Sequence, residues 1–192
     1  MTYDFSTITE VKLAVGSHDS PQQGLCVMEM VAWFAGEEHS DRPQCACPVL
    51  GRFAMNLNDA MPGGVRDRLL KPLVPLLAGT RDPESEIVRA EYLAMQVVRS
   101  TLPPVLRQVG LGEHADACEA VSDLKEAAYA ASAAANAANA ANAASAAASA
   151  NAATAWERAV DDLRHAITLG KHEGLTLEPA QRHEDLRKLV AA

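Results

Sequence analysis

The residues with the most chemistry to offer are four cysteines and six histidines. Cys45 and Cys47 share one polar stretch with His39, and Cys26 precedes that stretch in an apolar run. Three thiolates and an imidazole form a complete ligand set for a closed tetrahedral zinc site. Cys26, His39, Cys45 and Cys47 would staple a loop that has few apolar anchors, with structural zinc as the cofactor. Glu29, one helical turn after Cys26, offers an oxygen ligand in reserve. The Cys-x-Cys spacing is tighter than the usual zinc knuckle. A cysteine on an apolar helical face is also how buried free thiols occur. The competing expectation is therefore four unconnected thiols in a reducing cytoplasm, and a redox pairing of Cys45 with Cys47 is the third.

No catalytic residue is assigned. His39, Ser40 and Asp41 supply the residue types of a hydrolase triad, but triad members converge from different elements and these are adjacent. Asn58 and Asp59 read as a hydrogen-bonding pair at a helix end, and Glu37 and Glu38 as solvated. Phosphate-cradling glycine loops, His-Glu-x-x-His and Gly-x-Ser-x-Gly are absent from the sequence.

Helices must position these groups. Residues 7–15 alternate partly and are rich in β-branched types, which predicts a short strand or an extended arm. A helix is expected over 21–35, apolar almost all round and hence the most buried. A polar loop, 37–47, leads to a helix over 48–61, ended by Pro62-Gly63-Gly64. Pro72 and Pro75 should kink or divide the next helix, 65–77. Another is expected over 83–102, with Asp82 as its N-cap and Pro103-Pro104 as its break. A last helix is expected over 179–191.

Residues 127–155 hold 20 alanines among 29 residues and no charge. Alanine loses no side-chain entropy in a helix, and no Gly or Pro interrupts 113–169. One continuous helix over 113–169 is predicted, on the order of 85 Å long. The polar residues from Ser132 to Ser149 advance by steps of 4, 3, 3, 3 and 4. Such steps draw a wet stripe along one side and leave an alanine face opposite. Small faces let helices approach closely, so this coiled-coil-like face should pack, either on a second copy or on the protein's own N-terminal helices. The four Asn, three Ser and one Thr of the tract argue against a membrane span. A single Thr, at 154, argues against an ice-binding repeat.

The net charge of −8 disfavours nucleic acid as a partner. Without a secretory signal pattern or a span, a cytoplasmic location is expected. Cys26-Val-Met-Glu29, His39-Ser-Asp41 with Cys47-Pro48-Val49, Asn58-Asp59, Leu70-Lys71-Pro72 with Gly79-Thr80, and the alanine tract carry a resemblance. On these the chain resembles alanine-rich helical proteins of actinobacteria and their phages, a resemblance that implies neither an activity nor a site. The fold class expected is all-α, an N-terminal bundle of short helices (1–112), then one long Ala-rich helix (113–170) and a short C-terminal helix (171–192). The function expected is that of a non-enzymatic scaffold, a homo-oligomer joined through residues 127–155 and able to bind a protein partner. The alternative is a small-molecule- or zinc-binding module, even an enzyme, built around His39, Cys45, Cys47 and Asp59.

Overall fold

The computed structural model describes residues 11–140 and 152–170. The tail, the helix expected over 179–191 and the middle of the alanine tract, 141–151, lie outside the described residues. What is described is helical, with no strand, and none of its helices is long and apolar enough to cross a membrane. The chain divides into two compact units, Met1–Glu86 with Ile167–Ala192, and Ile87–Ala166.

In the first unit the central helix is α1, Val27–Ala35, which begins six residues later than Pro21 suggested. Pro21 lies instead in a turn closed by Gln23 N–H donating to the Ser20 carbonyl. Val27, Met28, Met30, Val31 and Ala32 are all essentially inaccessible, so α1 is covered on every side, as its pattern predicted. Gly36 ends it at φ 80°, a left-handed cap that glycine adopts without steric cost. Helix α2, Pro48–Ala60, turns Leu50, Gly51, Ala54 and Leu57 inward. At Gly51 a Cβ would stand 3.2 Å from the Met28 methyl, so a missing side chain there lets the two helices meet.

Pro72 and Pro75 do divide the following stretch. It becomes α3, Gly63–Leu70, a 3-10 turn, Lys71–Leu73, and α4, Val74–Leu77. Leu70, Leu73, Val74 and Leu77 nevertheless keep one buried face, and α4 packs on α1. The arm over 11–15 is extended without a strand partner among the described residues.

The second unit opens with α5, Glu86–Gln96, reached through a 3-10 turn at Pro83–Ser85 that Asp82 caps. Here one expectation fails. Pro103-Pro104 does not end the helical path. A π-helical segment, Val97–Thr101, precedes α6, Leu102–Gln108, and both prolines fall in the first turn of α6. The prolines cannot donate to the turn before them, and the Ser100 carbonyl in that turn accepts from the Arg158 side chain instead.

The helix expected over 113–169 also differs from the structure. It is interrupted after α7, Gly112–Ala120, where Val121 is extended at φ −60° and ψ 137°. A new helix, α8, covers Leu124–Ala140. Asp123 Oδ1 accepts from Glu126 N–H at 2.8 Å, and Glu126 Oε2 accepts from Ser122 N–H and Oγ–H, each at 2.8 Å. These bonds cap a fresh helix start, and burial of Val121 at 5% exposure holds the bend inward. Helix α9, Ala152–Thr168, returns to the π segment, where Arg158 Nη1 donates to the Ser100 carbonyl at 2.9 Å. Helix α8 packs on that same segment, with Ala134 in a core cluster that includes Val98. Helices α8 and α9 thus both meet the π segment.

Candidate functional site

The polar centre of the first unit is Glu29, 1% exposed although it is a carboxylate. Its place follows from local sequence. Cys26 stands at the N-cap of α1 with extended backbone, and its Sγ accepts from Glu29 N–H at 3.4 Å. In return Glu29 Oε2 accepts from Cys26 N–H at 2.7 Å. Cys26-x-x-Glu29 is thus a capping box in which sulfur replaces the usual hydroxyl.

Two histidines complete the centre. His18 reaches Glu29 twice, by its N–H to Oε1 at 2.6 Å and by Nδ1 to Oε2 at 2.8 Å. His39 Nε2 lies 2.8 Å from the His18 carbonyl and 3.7 Å from Glu29 Oε1. A carbonyl only accepts, so His39 carries its proton on Nε2. The His18 ring lies over Gly24, where a Cβ would come within 2.7 Å of Nε2 and where φ is 146°. Chemically the arrangement holds one imidazole in a fixed orientation and ties the chain before α1 to the loop after it.

A second network pins the arm. Arg66, 6% exposed, donates to three carbonyls: Nε to Asn58 at 2.5 Å, Nη1 to Leu13 at 3.0 Å and Nη2 to Met61 at 2.8 Å. Asn58 Oδ1 accepts from Val27 N–H, and its Nδ2 donates to the Ala14 carbonyl and to Asp59 Oδ1. Asp59 Oδ1 also accepts from Gly16 N–H at 2.9 Å, and Asp67 Oδ1 accepts from Leu13 N–H at 2.8 Å. The Asn58–Asp59 pair is a helix-end device, as its position suggested, but its bonds go to the arm.

The four residues expected to ligate zinc divide between two surroundings. Cys26 and His39 belong to the Glu29 centre. Cys45 and Cys47 are bonded elsewhere. Cys45 N–H donates to Glu37 Oε1 at 2.7 Å, and the Cys45 carbonyl accepts from Arg81 N–H at 2.9 Å. Cys47 is the buried N-cap of α2 and donates its N–H to Thr80 Oγ1 at 3.0 Å. Glu37, expected to be solvated, instead clamps the loop by also accepting from Gln44 N–H. Among the described residues no group of three or more His, Cys, Asp and Glu is placed to hold a metal ion. Ligation by Cys26 would require it to release its helix cap. Cys118, a free thiol like the others, is buried in the core of the second unit.

Burial sets the state of these thiols. It pushes Cys26 from 9.0 up to about 12, and the negative charge of Glu29 adds to the rise. Burial pushes Cys45 up to about 11, with Glu37 contributing. Both are neutral thiols at neutral pH, and slow alkylation follows. The folded state resists thiolate formation more than the unfolded chain does. Their contribution to stability is therefore complete below pH 9 and is lost as pH rises toward 11–12. The alkaline unfolding midpoint of Cys26→Ser should move upward relative to wild type once the difference in neutral stability is subtracted. An unchanged profile would show that Cys26 has no part in the alkaline limb.

Among the described residues, two of the hollows offer room for ligands or partners. One, about 610 Å³, lies in the first unit beside the Cys47 turn. The other, a groove of about 700 Å³, runs between α7 and α8 in the second unit. Comparison of the chain with protein-family models, with curated proteins and with solved structures finds no match.

Proposed function

We propose that this chain is a non-enzymatic interaction protein that self-associates through its alanine-rich segment, residues 127–155. The α7–α8 groove would form the described part of that surface. The observation carrying this reading is Tyr129, 79% exposed at the edge of a groove lined by Ala117, Ala120, Ala130 and Ala133. Small residues make a depression that fits an aromatic ring, and the ring and the depression lie on the same face. That is the self-complementarity a two-fold interface requires. Asp123, Lys125 and Glu126 along the groove offer charges of both signs, which an antiparallel approach can pair.

Helix α8 has already used one of its alanine faces. Ala127, Ala130 and Ala134 are buried with Val98, Leu106, Ala115, Cys118 and Val121 inside the unit. Ser132 and Asn136 are exposed, in keeping with the wet stripe. The association surface therefore lies between the covered face and the stripe. Burying one large aromatic side chain is worth about 1.5–3 kcal/mol before costs. Two such rings are set against an association cost of about 4–15 kcal/mol. A weak, concentration-dependent dimer is the expected species.

Light scattering should give a mass rising toward twice the 20.4 kDa of the chain as concentration increases. Ala133→Arg should hold the mass at one chain with an unchanged helical circular dichroism signal, whereas Ser132→Arg should leave the dimer intact. One-chain mass for the wild type at the highest attainable concentration would end this reading.

A further inference from the structure

We infer that the hollow beside the Cys47 turn binds a small organic anion, an oxyanion carried on an apolar body. Its walls belong wholly to the first unit. Three of the chain's 17 basic residues, Arg42, Arg52 and Arg81, line this one cleft of about 610 Å³. Asp41 is the one carboxylate in the lining. In a chain of net charge −8 this is a local reversal of sign. A cleft lined by one sign of charge concentrates ligands of the other.

The guanidinium groups have donors to offer. Arg52 makes no hydrogen bond or ion pair among the described residues and is exposed. Arg42 stands 4.0 Å from Asp41, and Arg81 stands 4.0 Å from Glu86. Both separations are at the outer edge of ion pairing, and the side chains are 80% and 46% exposed. Exposed pairs of this kind hold their partners weakly. All three cations are arginines, whose planar forks match the paired oxygens of a carboxylate or phosphate.

The cleft is also built rather than incidental. Arg81 N–H to the Cys45 carbonyl and Cys47 N–H to Thr80 Oγ1 fasten its two rims together. The Cys47 side chain makes no bond to the first turn of α2, which adds that helix's partial positive charge to the same wall. Met28, Met55, Pro43 and Ala46 give the cleft an apolar wall, beside which Gln44 adds a neutral polar side chain. Methionine thioethers adapt to varied shapes. The volume falls within the roughly 300–1,000 Å³ typical of small-molecule sites. Inorganic anions alone would leave the apolar wall unused.

Calorimetric titration with phenyl phosphate, benzoate, inorganic phosphate and benzyl alcohol tests this assignment on the full chain. Phenyl phosphate or benzoate should bind, and the tighter of the two identifies the oxyanion. Inorganic phosphate should bind at least tenfold more weakly than phenyl phosphate, and benzyl alcohol not at all. Arg52→Ala and Arg81→Ala should each weaken binding roughly tenfold to a hundredfold. Arg99→Ala, in the other unit, should leave it unchanged. Both cleft variants are at exposed side chains, so an unchanged circular dichroism melt is the check on folding. Absence of binding by both aromatic anions overturns the assignment, as does affinity that survives Arg52→Ala combined with Arg81→Ala. Equal affinity for inorganic and phenyl phosphate overturns the apolar part of it.

Discussion

Glu29→Ala is expected to destabilise the protein by about 3–5 kcal/mol, because it leaves three buried or part-buried donors unpaired at about 1–3 kcal/mol each. The substitution strands the N–H groups of Cys26 and His18 and the His18 Nδ1 proton, all of which end on this one carboxylate. With the carboxylate 1% exposed, water cannot readily replace it. In a chain of this length each kcal/mol lowers the melting temperature by about 2–4 °C, so the midpoint should fall by roughly 10 °C. Glu29→Gln keeps the volume and one acceptor, and an intermediate loss is expected because its amide nitrogen faces donors. Glu38→Ala, at an exposed side chain, should change stability by less than about 0.5 kcal/mol. A urea midpoint for Glu29→Ala close to wild type would show that the centre is decorative.

Arg66→Met is the second large effect, about 2–4 kcal/mol, because three carbonyls lose a charged donor while the aliphatic stem is kept. Its signature differs from that of Glu29. Two of the three carbonyls cap the end of α2, and the third belongs to the arm. The arm should therefore loosen before the helices do. Hydrogen exchange at the amides of Leu13, Ala14 and Gly16 should accelerate more than exchange within α1. Arg66→Lys should recover only part of the loss, since an ammonium on a flexible stem cannot serve three carbonyls in one plane. If the arm amides kept their protection in Arg66→Met, the arm would owe its position to Leu13 burial and to its bonds with Asn58, Asp59 and Asp67.

Two capping signals were present in the sequence and point to opposite lessons. Asp123-x-x-Glu126 has the ordinary form of a helix start, yet the alanine tract after it and the absence of Gly or Pro over 113–169 suggested continuity. Propensity is a small preference summed along a helix. A cap combined with burial of Val121 overrides it locally. Cys26-x-x-Glu29 is less legible, because cysteine more often suggests a ligand or a core residue than a cap. The same four residues that spelled a zinc set prove to serve three backbone tasks: a cap on α1, a cap position on α2 and a tether between loops.

The prolines show where local rules stop. Pro72 and Pro75 divided their helix as expected, since each removes a donor from the helical ladder. Pro103 and Pro104 did not, because they follow a π segment whose Ser100 carbonyl takes its donor from the Arg158 side chain.

The sequence by itself determined the all-helical class, the burial of α1 on every side and the wet stripe through Ser132 and Asn136. These follow from periodicity and propensity, which act over a few residues and are written locally. Tertiary structure alone decided that Glu29 would be the buried hub, that Arg66 would hold the arm, and that three arginines would meet in one cleft. It also decided that the first alanine face of α8 would be covered from within its own unit. Leu13 and Asp67 are 54 residues apart and Arg158 and Ser100 are 58 apart. No periodicity encodes such pairings. They form when burial removes water from polar groups, and each group must then bond to whatever partner the packed helices bring within reach.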